Sequence, residues 1–160
     1  MRDDTHHIAQ FNIARAVSPL DSATMAPFMN ELEPINARAD AALGFVWRLQ
    51  TGQGDATSLH PYEDDRIIVN MSVWQSIEAL HRFVYAERHA GVMARRREWF
   101  EPLAAPHLVL WWIAAGALPS VEDGMARLAH LRAHGPSAHA FTFKARFDPP
   151  AETAPRQARR

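Results

Sequence analysis

Apolar and polar side chains alternate along Ile8 to Val17, with Phe11 and Ile13 on one face and Gln10 and Asn12 on the other. That two-residue repeat predicts a strand with one buried face. Ser18-Pro19 then opens a helical region in which Phe28, Leu32, Ile35 and Ala39 recur at helical spacing, with Ser18 or Asp21 able to cap it. Pro27 and Pro34 fall inside it, so a kink or two helical pieces are expected. Gly44 ends this region, and Phe45 to Leu49 alternate again with Phe45, Trp47 and Leu49 on one side. Residues 51–65 are poor in apolar groups and rich in turn formers, which predicts a loop, long for a hairpin and of a size often used as a lid or binding loop.

Ile67 to Trp74 reads as the third strand. Ser76 to Phe100 is the strongest helical pattern: Ser76 can cap it, and Ile77, Leu80, Phe83, Val84, Ala90, Gly91 and Ala94 form one broad apolar face. Pro102 and Pro106 close it, and His107 to Ala115 is an almost wholly apolar strand, the pattern of one buried on both faces. Pro119-Ser120 opens a further helix with Met125, Leu128 and Leu131 inside, ended by Gly135-Pro136. Phe141, Phe143, Ala145 and Phe147 alternate as a last strand, and residues 148–160 are expected to be a disordered tail.

The order is β-α-β-β-α-β followed by α-β. It predicts an α+β fold over residues 1–147, a single domain with a ferredoxin-like antiparallel sheet and an extra C-terminal helix and strand. Helices of that arrangement cover one sheet face only. The strands nonetheless carry large apolar groups on both sides, notably Val109, Trp111 and Ile113 against Leu110 and Trp112. A bare face bearing tryptophan is a liability that a symmetric second copy would cover, so a homodimer forming a dimeric α/β barrel is expected. The alternative is that the segment after residue 120 covers that face within one chain.

Composition narrows the function classes. With 160 residues, 48% of them apolar, the chain can build a core without staples. It has no cysteine, which removes disulfides, thiolate nucleophiles and cysteine-held metals and suits a reducing, cytoplasmic compartment. Seventeen basic and eighteen acidic residues give a net charge of −1, so a nucleic-acid partner is not expected. The longest apolar run, Leu108 to Leu118, is short of the roughly 20 residues that span a bilayer, and no membrane partner is expected.

Two groups of residues could carry chemistry. Gln10 and Asn12 on the first strand, Arg48 on the second, and Asn70, Ser72 and Trp74 on the third interrupt apolar strands. On a shared face they would line a polar–aromatic hollow, as a mutual hydrogen-bond network or as a ligand site. On the long helix, at about 100° per residue, His81, Tyr85, His89, Val92, Arg96 and Trp99 fall in one sector beside the apolar face. An imidazole there could move a proton and an arginine could hold a carboxylate or phenolate; the alternative is a solvated amphipathic flank. His130 and His134 stand four apart on a helix, but no carboxylate completes a metal site, and a solvated face is the reading preferred.

The phrases His7 to Asn12, Gly44 to Leu49, Asn70 to Trp74, His89 followed by Arg95 to Phe100, Leu110-Trp-Trp112 and Gly135-Pro136 with Ala140 to Phe143 resemble an uncharacterised bacterial family of the dimeric α/β-barrel superfamily, the antibiotic-biosynthesis-monooxygenase-like group. The superfamily includes monooxygenases that oxidise polycyclic phenols without metal or flavin, and haem-degrading monooxygenases whose pocket is lined by an Asn on the first strand, a Trp on the third and a His on the second helix. Asn12, Trp74 and His89 stand on comparable elements. The resemblance implies a small-molecule ligand and a monooxygenase-like enzyme acting on an aromatic or polyketide-like substrate, with no cofactor. Asn12, Arg48 and His89 are the expected catalytic residues, and Gln10, Asn70, Trp74, Tyr85, Arg96 and Trp99 the expected substrate-binding residues. Haem held by His89, and a non-catalytic binding module, are the alternatives.

Overall fold

A computed structural model describes residues 4–50, 60–89 and 95–151. Strand β1 spans His6–Arg15, helix α1 Ala26–Ala41, β2 Phe45–Arg48, β3 Ile67–Trp74, α2 Ile77–His89, the single turn α3 Arg96–Trp99, β4 Leu108–Ala114 and α4 Val121–His134. The strands form one sheet in the order β2-β3-β1-β4, every neighbouring pair antiparallel. This is the predicted ferredoxin-like order with a further helix after it.

The alternation of β1 separates two cores. Ala9, Phe11 and Ile13 lie with Met71, Val73, Val109 and Trp111 against Leu128 and Leu131 of α4. Ile8, Trp74 and Leu110 lie with Ile77, Ala79, Leu80 and Phe141 on the opposite face. Phe11 and Trp111 are fully or almost fully buried, which contributes roughly 1.5–3 kcal/mol for each such side chain. The apolar face assigned above to a second copy therefore meets α4 within the chain, as the stated alternative had it. Serine caps start two of the helices: Ser76 Oγ accepts from the Ala79 N–H at 3.1 Å, and Ser120 and Asp123 form a reciprocal capping box with both bonds at 3.1 Å.

Several boundaries differ from the sequence pattern. Neither Ser18 nor Asp21 caps the first helix, which begins after a run of turns at Ala26 with a proline in its first turn, a position that suits proline's fixed φ. Pro34 lies within that helix. Of the helix expected over 76–100, the described residues form α2 over Ile77–His89 and α3 over Arg96–Trp99, and Ala90 to Ala94 lie outside the described residues. Residues 51–59 of the expected loop and 152–160 of the expected tail also lie outside them. The last strand does not form. Phe141 makes one bridge to Leu110, bonded both ways at 2.8 and 2.9 Å, and the chain then turns at Thr142–Ala145, so only one rung of a ladder is present.

A register shift between Phe45 and Trp47 corrects the predicted face of β2. The bulge lets Phe45 meet the Trp74 ring edge-on at 5.4 Å while Trp47 turns to the α4 side opposite Val73. Arg48 is left opposite Ser72 on the face of α1 and α2.

Gly124 allows α4 to approach β1: a Cβ there would stand 2.5–3.0 Å from three atoms of Phe11. Gly124→Ala is expected to lower the unfolding free energy by about 1–3 kcal/mol through overpacking, in spite of alanine's better helix propensity. Chemical denaturation measures this, and an unchanged or higher stability would contradict the seating of α4 on Phe11.

Candidate functional site

The β1–β3 register sets Gln10 opposite Ser72, Asn12 opposite Asn70 and Ile8 opposite Trp74. The polar side chains of this face bond to one another. Gln10 Nε2 donates to Asn70 Oδ1 at 2.5 Å and to Ser72 Oγ at 2.8 Å. Asn12 Nδ2 donates to Gln10 Oε1 at 2.8 Å and to Asn70 Oδ1 at 3.3 Å, and Trp74 Nε1 donates to Ser72 Oγ at 2.9 Å. Gln10, Ser72 and Trp74 are buried, so these bonds offset the desolvation of groups that would otherwise be costly inside the protein. Trp74 is held further by stacking on Phe83 with ring centroids 5.2 Å apart.

This network borders a cavity of about 270 Å³ between the sheet and the two longer helices on that face. Phe28, Leu32 and Ile35 of α1 and Leu80, Phe83 and Val84 of α2 supply apolar walls. Such a hollow, greasy with a few convergent polar groups, is the usual form of a small-molecule site. Charged groups stand at its margin. Arg48 holds Asp40 through two bonds at 2.8 and 3.3 Å, and Glu87 receives Arg38 through two at 2.7 and 3.0 Å. Arg88, Arg96 and His107 also line the cavity. Burial lowers the Arg96 pKa, helped by the charge of Arg88. Burial likewise lowers that of His107, with the charges of Arg96, Arg132 and Arg88 acting the same way and a backbone hydrogen bond to Ala105 opposing them.

Of the residues singled out by sequence, the structure brings Gln10, Asn12, Arg48, Asn70, Trp74 and Arg96 to the cavity together with Ser72. Tyr85, His89 and Trp99 do not line it. Tyr85 and His89 are exposed on α2, which turns Ile77, Ala79, Leu80 and Glu87 inward instead. The two rings pack on each other at 4.2 Å, and His89 Nδ1 lies 2.9 Å from the Tyr85 carbonyl oxygen. Trp99 is buried in a separate cluster beside Phe28, Phe100, Met25 and Ala16. Tyr85 and His89 fall on the face of α2 that meets solvent, the solvated flank that was the alternative, and Trp99 stands on the turn α3 rather than on α2. With its expected ligand turned away from the hollow, the chain does not fit haem held there by His89.

His107 and Arg88 are residues the sequence reading missed. His107 precedes β4 beside Pro106 and carries no periodic signal; only the pairing of β4 with β1 delivers it, its carbonyl accepting from the Ile13 N–H at 2.9 Å. His130 packs on His134 and His139 with ring centroids 4.6 and 4.7 Å apart. Among the described residues no group of three or more His, Cys, Asp or Glu is placed to hold a metal ion, and no helix is long and apolar enough to cross a membrane.

Residues 7–157 match the family described as Domain of unknown function (DUF3291). No curated protein matches the chain. Among solved structures it is similar to PA3566 from Pseudomonas aeruginosa, at 13% identity over 71% of this chain and 98% of that one, with a TM-score of 0.46. It is similar to a mutant of SnoaB, a cofactor-independent oxygenase from Streptomyces nogalater, at 15% identity over 70% of this chain and 95% of that one, with a TM-score of 0.44. A protein of unknown function from Nitrosomonas europaea, NE2512, shares 17% identity over 73% of this chain and 98% of that one, with a TM-score of 0.41.

The lowered His107 pKa has a consequence for stability. A histidine whose folded pKa lies below its unfolded value, about 6.5, contributes stability that is complete above that pH and is lost as pH falls through the folded value. The thermal midpoint should therefore drop on acidification from pH 7.5 to 5, and His107→Gln should drop less steeply. Equal slopes for the two proteins would show that His107 makes no such contribution.

Proposed function

The chain belongs to the DUF3291 family, a domain of unknown function, and from that premise we propose that it binds a small aromatic or polyketide-like molecule and acts on it as a cofactor-independent, monooxygenase-like enzyme. One observation carries this reading: the amide network of Gln10, Asn12 and Asn70, with Arg48 beside it, faces a cavity whose other walls are apolar. Flat greasy ligands fit the walls, and a carbonyl or phenolate oxygen on such a ligand finds donors on the floor. Asn12 and Asn70 are less buried than Gln10, which places their amides toward the open side where a ligand oxygen would arrive.

The proposed chemistry is oxidation of an activated methylene in a phenolic ring system. Donors on the substrate oxygen stabilise the enolate formed when the methylene loses a proton, and that electron-rich anion reacts with dioxygen directly. One oxygen atom ends as the new carbonyl, and the other leaves as water with the two methylene hydrogens. The imidazole that lines the cavity is His107, which its lowered pKa keeps neutral and so able to accept a proton. A non-catalytic binding module is the second reading, favoured because Gln10 and Ser72 already have partners inside the chain.

A cytoplasmic setting suits a chain without cysteine. A homodimer would form along the β2 edge: among the described residues this strand pairs with β3 alone, and its Val46 and Trp47 are half-buried. A stable monomer in sedimentation at micromolar concentration would remove the dimer.

Oxygen uptake with a panel of anthrone- and quinol-type substrates tests the enzyme. Turnover is expected, with Asn12→Ala lowering kcat by about 10²-fold, the usual cost of removing an oxyanion donor. Binding of the panel without oxygen uptake would leave the non-catalytic module.

A further inference from the structure

The charges around the cavity are unevenly matched. Arg48 is held by Asp40 at 2.8 Å, and Glu87 is held by Arg38 at 2.7 Å. Arg88 near the end of α2 and Arg96 at the start of α3 line the same cavity, and among the described residues no carboxylate forms an ion pair with either. His107 stands on the same side, close enough to both guanidinium groups for their charges to act on its ring.

Two like charges held near one another beside an apolar wall disfavour each other, and partial removal from water adds to that cost. The lowered Arg96 pKa, with burial and Arg88 as its causes, has this origin. No hydrogen bond holds the pair: neither guanidinium makes a side-chain hydrogen bond among the described residues, unlike Arg15, Arg38, Arg48 or Arg132. An anion entering the cavity would relieve the repulsion, and a planar guanidinium can grip a carboxylate through two parallel bonds.

We propose that Arg88 and Arg96 form a subsite for the carboxylate of an aromatic acid whose ring system lies against the apolar walls of the cavity. The inference rests on the reading of that cavity as a small-molecule site and narrows its ligand to an acid. The carboxylate sits at the α2–α3 end, and the opposite, ring-borne oxygen meets the amides of Asn12 and Asn70 on the strand floor. The two ends orient the ligand, because exchanging them would set a carboxylate on amide groups and leave two cations unmatched.

Calorimetric titration of the full chain with benzoate, 2-naphthoate and anthracene-2-carboxylate, each beside its neutral carboxamide, tests this. At least one acid is expected to bind about tenfold or more tightly than its amide, as for a charge-assisted bond, with the preference shrinking between 50 mM and 500 mM salt. Arg88→Gln and Arg96→Gln should each remove most of the preference without weakening the amide, and Arg88→Gln should leave the thermal midpoint unchanged, since that guanidinium makes no hydrogen bond or ion pair among the described residues. Arg88 is exposed on its helix, so its variant remains informative if Arg96→Gln folds poorly. Acid and amide binding equally, or a preference that survives both substitutions, would overturn the subsite and leave the cavity's small-molecule reading intact. Failure of every acid and every amide to bind at millimolar concentration would overturn both.

Discussion

The antiparallel register of β1 on β3 is the constraint from which the rest of the molecule follows. It sets three amides and one hydroxyl across from one another, Gln10 on Ser72 and Asn12 on Asn70, with the Trp74 indole at the end of the row. A slip of β1 by one residue would turn Gln10 and Asn12 into the α4 core and Ala9, Phe11 and Ile13 into the cavity. The hydrogen bonds within the network oppose such a slip, because each buried amide displaced from its partners would lose bonds that water cannot replace there. The network thus specifies the pairing as well as the chemistry of the face.

That face has its character because the other one is closed. α4 seals Phe11, Val109 and Trp111 from solvent, and the bare hydrogen of Gly124 lets it lie close. The sheet becomes a partition between a dry core and a mixed cavity. β2 serves both sides by spending one extra residue on a bulge, which sends Phe45 to Trp74, Trp47 to Val73 and Arg48 to Ser72. Strict alternation would have put Phe45 and Trp47 together, and one of the two cores would have lacked its aromatic contact.

The helices complete the cavity in a graded way. Their apolar residues make walls, while the end of α2 and the turn of α3 bring cations to one margin. Amides on the floor and guanidinium groups at the end offer a ligand two different kinds of hydrogen-bond donor, one neutral and one charged. Discrimination between an acid and its neutral analogue, and the orientation of a ring within the hollow, then have a single physical source in that difference.

What the chain determined locally could be read from it. Two-residue alternation placed Gln10, Asn12, Asn70 and Ser72 on one side of their strands, and serine followed by an apolar helical repeat marked the starts of α2 and α4. These are properties of a few adjacent residues, set by backbone periodicity and by unpaired N–H groups at helix ends. Other features depended on contact between distant segments. The bulge in β2, the single bridge made by Phe141, the seating of α4 over β1 and the arrival of His107 beside Arg96 were decided only when those segments packed. No local pattern encodes them, because each is the outcome of competition among surfaces for burial, and tertiary packing alone ranks those surfaces.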